Sequence, residues 1–172
     1  MGLLRFAGRR MAHFLAQPRR RQARPPTSDP HLLARTLRRG DVLLVEGNSR
    51  FSTAIKYLTQ STWSHAALYI GEEALEPGGP RRPMLIDVDV EAGVRRVPLD
   101  AFAEEHTRIC RPQGLPPPVI DQLVGFMRAR IGYSYDLKNV FDLARYLILP
   151  PVPGHMRRRL IALGSGEPTK AI

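Results

Sequence analysis

His65 is the residue of this sequence best placed to do chemistry. It stands in Ser64-His-Ala-Ala-Leu-Tyr-Ile70, a run apolar on both faces that reads as a strand ended by Gly71. A histidine at the start of a strand is held by the sheet while its ring faces a cleft. That placement suits a general base, a role that calls for a group able to exchange a proton near working pH. A second reading is open at this point: a strand-end histidine satisfied by a backbone carbonyl. Asp87 interrupts the apolar run Met84-Leu-Ile in the following strand. A carboxylate beside an imidazole accepts its N–H, fixes the tautomer and stabilises the imidazolium. Asp89 and Glu91 share the face of Asp87 by the two-residue period and read as a solvated strand face at a sheet edge. Cys110 is the one thiol in the sequence. Arginines flank it, a setting that favours a thiolate, but a lone cysteine on a strand more often packs as a small hydrophobe. Ser61, Thr62 and Ser64 lie in loop-like sequence and carry no serine-nucleophile pattern. No glycine-rich phosphate loop or paired-histidine spacing is present, so neither cofactor nor metal is implied.

These residues need elements to hold them. Asp29 or Ser28 can cap a first helix, Pro30 suits its first turn, and Gly40 can end it. The folded domain is therefore expected to span 31–172, behind an arm formed by residues 1–30. Asp41 to Glu46 reads as a strand. Asn48 or Ser49 then caps a helix with Phe51, Ile55 and Leu58 on one face. Glu72 to Pro83 reads as a Gly/Pro-rich loop, Met84–Val90 and Val94–Val97 as a strand pair broken at Gly93, and Thr107–Arg111 as a further strand. Pro116–Pro118 open a helix with Ile120, Leu123, Val124, Met127 and Ile131 at helical spacing, stopped by Gly132. Further helices are predicted over 137–149 and 157–163. Strands cluster early and helices late, the pattern of an α+β domain rather than of alternating βαβ units.

The charge is carried unevenly. The chain of 172 residues has a net charge of +10, and residues 1–39 hold ten arginines against the single acid Asp29. The other 133 residues thus carry only +1. The arm can be a solvated tail, an amphipathic helix on an anionic membrane using residues 1–24, or a transit-like segment. Arg9, Arg10 and His13 break any apolar stretch a secretory signal would need, so a cytoplasmic protein, or one peripheral at the membrane, is expected. The arm has few aromatics for stacking on bases, which argues against nucleic acid as a partner. With one cysteine, a disulfide framework and a multi-cysteine zinc site are excluded within the sequence.

Together the segments Gly40-Asp-Val-Leu-Leu-Val, Ser61-Thr-Trp-Ser-His65-Ala-Ala-Leu-Tyr-Ile-Gly, Leu85-Ile-Asp87, Gly93-Val-Arg, Arg108-Ile-Cys-Arg-Pro and Gly132-Tyr-Ser-Tyr-Asp136 resemble the YiiX/YebB-like cysteine hydrolases. These are permuted papain-like proteins of the NlpC type, and the resemblance covers about residues 38–172. It implies a circularly permuted papain-like α+β domain, sheet first and helices after. It implies a catalytic Cys-His-acid unit, with His65 matching the histidine and Asp87 falling where the family carries an acidic third residue. The substrate would be an acyl compound: a peptide, peptidoglycan or lipid with an amide, ester or thioester, handled by hydrolysis or acyl transfer without a cofactor.

The resemblance puts the nucleophile at the start of a helix after the Gly-Tyr-x-Tyr-Asp segment, and no cysteine follows Cys110. Cys110 itself matches a structural strand motif of the family. The expectation is a domain incomplete at its C-terminus, with a pseudoenzyme that only binds as the alternative. The rivals from other classes are a non-catalytic binding domain and a membrane-surface protein docking through its arm.

Overall fold

The computed structural model describes residues 29–90 and 92–134. The arm, Glu91 and the helices expected over 137–149 and 157–163 lie outside the described residues. In chain order the elements are α1 (Pro30–Thr36), β1 (Val42–Glu46), α2 (Arg50–Thr59), β2 (His65–Ala74), β3 (Arg81–Asp89) and β4 (Gly93–Pro98). A 3-10 turn (Leu99–Phe102), β5 (His106–Cys110) and α3 (Pro117–Arg128) follow. The five strands form one antiparallel sheet in the order β4-β3-β2-β1-β5. The fold is therefore α+β, as its sequence pattern indicates. Among the described residues no helix is long and apolar enough to cross a membrane.

Both faces of the sheet are covered, which is why β2 and β3 carry continuous apolar runs instead of alternating ones. On one face Leu43, Val45, Ala67, Tyr69, Leu85 and Val97 pack beneath Leu33 and Leu37 at the α1 end and Leu99 of the 3-10 turn. On the other, Leu68, Ile70, Met84, Ile86 and Val94 pack against Val124 of α3. Ile70 shares that side with Leu68 by the two-residue period, and the β2–β3 register shifts just beyond it, where Gly71 pairs with Met84. Ion pairs Arg39–Asp121 and Arg128–Glu73 fasten the two ends of α3 over that face.

Two boundaries differ from the sequence reading. The first helix stops at Thr36 instead of running to Gly40. Leu37 turns extended because the next amide, Arg38, is claimed by Asp41 Oδ2 at 2.7 Å. The loop expected over 72–83 is strand at both ends and turn only over 75–80, since Glu72, Glu73 and Ala74 pair with Pro83, Arg82 and Arg81. Polar side chains hid that ladder. Pro83 is tolerated because it lies past the last β3–β4 pair, Met84 with Pro98, where the strand has one neighbour only. At the opposite end Gly93 turns the β3–β4 hairpin with φ +72°, and a Cβ there would come within 2.0 Å of the Tyr133 carbonyl. The chain after α3 caps the β4 edge through Val94 N to Tyr133 O (2.9 Å) and Gly132 N to Val94 O (2.8 Å).

Asp41 ties three elements together. It is 1% exposed, and Arg111 at the end of β5 grips it with Nε to Oδ1 at 2.9 Å and Nη2 to Oδ2 at 2.7 Å. Arg111 also donates to the Thr36 carbonyl at the end of α1, at 2.8 Å. Burial pushes the Asp41 carboxyl up, but the Arg111 and Arg38 contacts more than reverse this and hold it below its ordinary value. Its contribution to stability is thus present above the unfolded-state carboxylate range and fades as pH falls below about 4. Asp41→Asn should lower the unfolding free energy at neutral pH by about 2 kcal/mol. Urea titrations from pH 7 to pH 2.5 should also show a shallower acid loss in the variant. An unchanged acid limb would mean that Asp41 is not a paired carboxylate in solution.

Candidate active site

Antiparallel register brings the site together. Val45 of β1 stands opposite His65, and Asp87 of β3 stands opposite Arg95 of β4. His65, Asp87 and Arg95 all leave the face that carries Val45, Ala67 and Leu85. His65 Nε2 lies 3.2 Å from Asp87 Oδ2, and Arg95 Nε donates to Asp87 Oδ1 at 2.9 Å. Arg95 Nη2 lies 3.4 Å from Asp87 Oδ2 and 3.6 Å from Asp89 Oδ2. The Asp87 side chain is only 2% exposed, while those of His65 and Arg95 are 28% and 43% exposed.

The electrostatics follow from that burial. Desolvation pushes the Asp87 carboxyl up, but hydrogen bonds from His65 and Arg95 outweigh it and hold the group below the usual carboxylate range. Asp87 is therefore an acceptor at neutral pH, and the imidazole must present Nε2–H to it. The lone pair then sits on Nδ1, which has no hydrogen-bond partner among the described residues. Phe102 flanks the imidazole with its ring centroid 6.0 Å away. An imidazole held in one tautomer, with a buried carboxylate behind it and a free nitrogen in front, can take and return a proton.

The pair opens into a cleft of about 410 Å³. One wall is the start of α2, with Ser49, Phe51, Ser52 and Ile55, and another is the 3-10 turn and its continuation, with Phe102 and Glu105. Ser49 caps α2, accepting from Ser52 N at 3.0 Å, and Lys56 Nζ ties the helix back to Glu46 Oε1 (3.2 Å) and the Gly47 carbonyl (3.0 Å). His106 Nδ1 meets the other oxygen of Glu46 at 3.0 Å. Gly47 lets the helix come this close, because a Cβ there would lie 2.4 Å from Ser52 Oγ.

His65 and Asp87, paired in the sequence reading, are thus adjacent in space, and the partner of His65 is a carboxylate rather than a backbone carbonyl. Cys110 is not with them. Val42 pairs with both Leu68 and Cys110, whereas His65 pairs with Val45, three residues along β1. An odd separation sends the thiol and the imidazole to opposite faces of the sheet. Asp89 is not on a sheet edge: β3 lies between β2 and β4, and Arg95 engages its carboxylate. Glu91 lies outside the described residues. Sequence reasoning missed Arg95 as a partner of Asp87 and Glu105 as a residue lining the cleft. Arg95 was open to discovery, since Asp87 and Arg95 lie equally far either side of the turn between Asp89 and Gly93. Glu105 left no such signal, because its place depends on how the 3-10 turn folds back. Among the described residues no cluster of His, Cys, Asp or Glu suits a metal ion.

A sheet with a strand-borne imidazole at its cleft and a buried carboxylate behind it has the architecture of a papain-like hydrolase. The family described as permuted papain-like amidase enzymes (YaeF/YiiX, C92) matches residues 36–146, more than half of the chain, and the protein belongs to that family. A comparison with curated proteins returned no match. The family carries an amidase, cysteine-hydrolase kind of function and implies a substrate that bears an amide.

Nitrogen-15 NMR of neutral His65 should show the proton on Nε2, and Asp87→Ala should raise the Nδ1–H share. A wild-type ring already protonated on Nδ1 would contradict the geometry.

Proposed function

We propose that His65 is the general base and acid of an amide-cleaving cysteine hydrolase site and that Asp87 orients it. The observation that carries this is the 3.2 Å contact from Nε2 to Asp87 beside the cleft that His65 lines, with no partner for Nδ1 among the described residues. A thiol within reach of Nδ1 gives its proton to the imidazole. The thiolate adds to the amide carbon, and the C–N bond breaks as the imidazolium returns the proton to the leaving nitrogen. Water then attacks the thioester, its proton passing to Nδ1 and on to the departing sulfur. With an amine or alcohol in place of water the same steps give acyl transfer.

Cys110 is not that thiol in this proposal. It leaves the other face of the sheet, and it is the one cysteine in the sequence. This same fact favours a second reading, in which the 172 residues bind an amide in the cleft without cleaving it.

A thiol added from solution separates the two. The chain should accelerate thiolysis of a p-nitrophenyl ester by N-acetylcysteamine by about 10²-fold, the low end for a positioned general base. His65→Ala should remove that acceleration, Asp87→Asn should cut most of it, and Cys110→Ser should leave it unchanged. Loss of activity in Cys110→Ser would make Cys110 the nucleophile and overturn the assignment. Ester thiolysis that does not depend on His65 supports the binding domain.

A further inference from the structure

We infer that Glu105 forms a subsite for a primary ammonium group within the His65 cleft, so that the preferred ligand is an amide that also bears a free amine. This rests on the proposed use of the cleft for amide substrates and names their chemical class. Glu105 lines the cleft together with His65, Asp87 and Arg95. Its backbone N–H bonds the Phe102 carbonyl at 3.1 Å, which folds it one turn beyond the ring that flanks His65.

The carboxylate is half-buried, and among the described residues no hydrogen bond or ion pair satisfies it. Lys56 is the cation that acts on it, yet Lys56 Nζ is committed to Glu46 at 3.2 Å and the Gly47 carbonyl at 3.0 Å. The other two acids of the cleft, Asp87 and Asp89, are already held by Arg95. Burial accordingly pushes the Glu105 carboxyl up, with the Lys56 charge opposing and Glu46 adding to the rise. A half-buried acceptor without a donor is a cost that a bound N–H or ammonium removes.

Charge points the same way. The chain as a whole is at +10, but the charged side chains lining the cleft are three carboxylates against one guanidinium. The local field therefore selects a cation on a protein whose average charge repels one. Phe51, Ile55 and Phe102 line the same cleft and supply apolar surface that suits the carbon chain next to an ammonium.

The test compares L-alaninamide, which carries an ammonium, with N-acetyl-L-alaninamide, which does not, by NMR titration of the 172-residue protein. The ammonium compound should bind about five- to tenfold tighter at low salt. Glu105→Gln should bring the ratio near one, Glu105→Asp should keep part of it, and Glu104→Gln, an exposed neighbour with the same charge change, should leave it intact. Equal affinities in the wild type, no binding of either compound, or a ratio unchanged in Glu105→Gln overturns the subsite. Binding is read without turnover. Discrimination that persists without His65-dependent thiolysis supports the subsite while removing the catalytic role of His65.

Discussion

The site depends on one requirement: a carboxylate taken almost wholly out of water must be answered by donors. Asp87 lies in the sheet with its side chain 2% exposed, and two neighbours answer it, His65 from β2 and Arg95 from β4. Three adjacent strands are therefore fixed in register by one charge. A slip of one residue in either ladder would turn His65 or Arg95 to the opposite face and leave Asp87 buried without a partner. The same contact that stabilises the sheet fixes the imidazole tautomer, so the chemistry and the fold share their restraint. Asp41 plays a parallel part at the other end of β1, where Arg111 and the Arg38 amide answer a second buried carboxylate.

Much of this was legible in the sequence, for identifiable reasons. His65 stood out because a titratable ring breaks an apolar strand, and Asp87 because a charge breaks the next. The α+β class followed from strands that cluster before helices. Other features were hidden because they belong to the backbone ladder instead of the side-chain pattern. Glu72, Glu73, Arg81 and Arg82 look like loop residues, yet they extend β2 and β3. The early end of α1 was hidden as well, since it follows from a contact that Asp41 makes with the Arg38 amide. The side of the sheet that Cys110 occupies required the β1–β5 register, which no local pattern encodes.

Charge is partitioned within the molecule. The excess of arginine lies in residues 1–39, whereas the cleft is lined by more acids than bases. Overall pI therefore says little about what the cleft binds, and the local pairing of each carboxylate says more. Asp87 and Asp89 are held by Arg95, whereas among the described residues no donor pairs with Glu105, the third acid of the cleft. The serine-capped start of α2 and the Gly47 approach hold the opposite wall, so that the cleft is bounded by one helix end and one tight turn over a rigid sheet floor.

The central claim is that Nδ1 of His65 is the nitrogen that meets the scissile amide. The structure of the protein with L-alaninamide bound tests this most directly. The account predicts the amide nitrogen or carbonyl carbon within about 4 Å of His65 Nδ1, with Nε2 still on Asp87. An amide bound on the Cys110 face of the sheet, or a His65 ring turned so that Nδ1 meets Asp87, would contradict it.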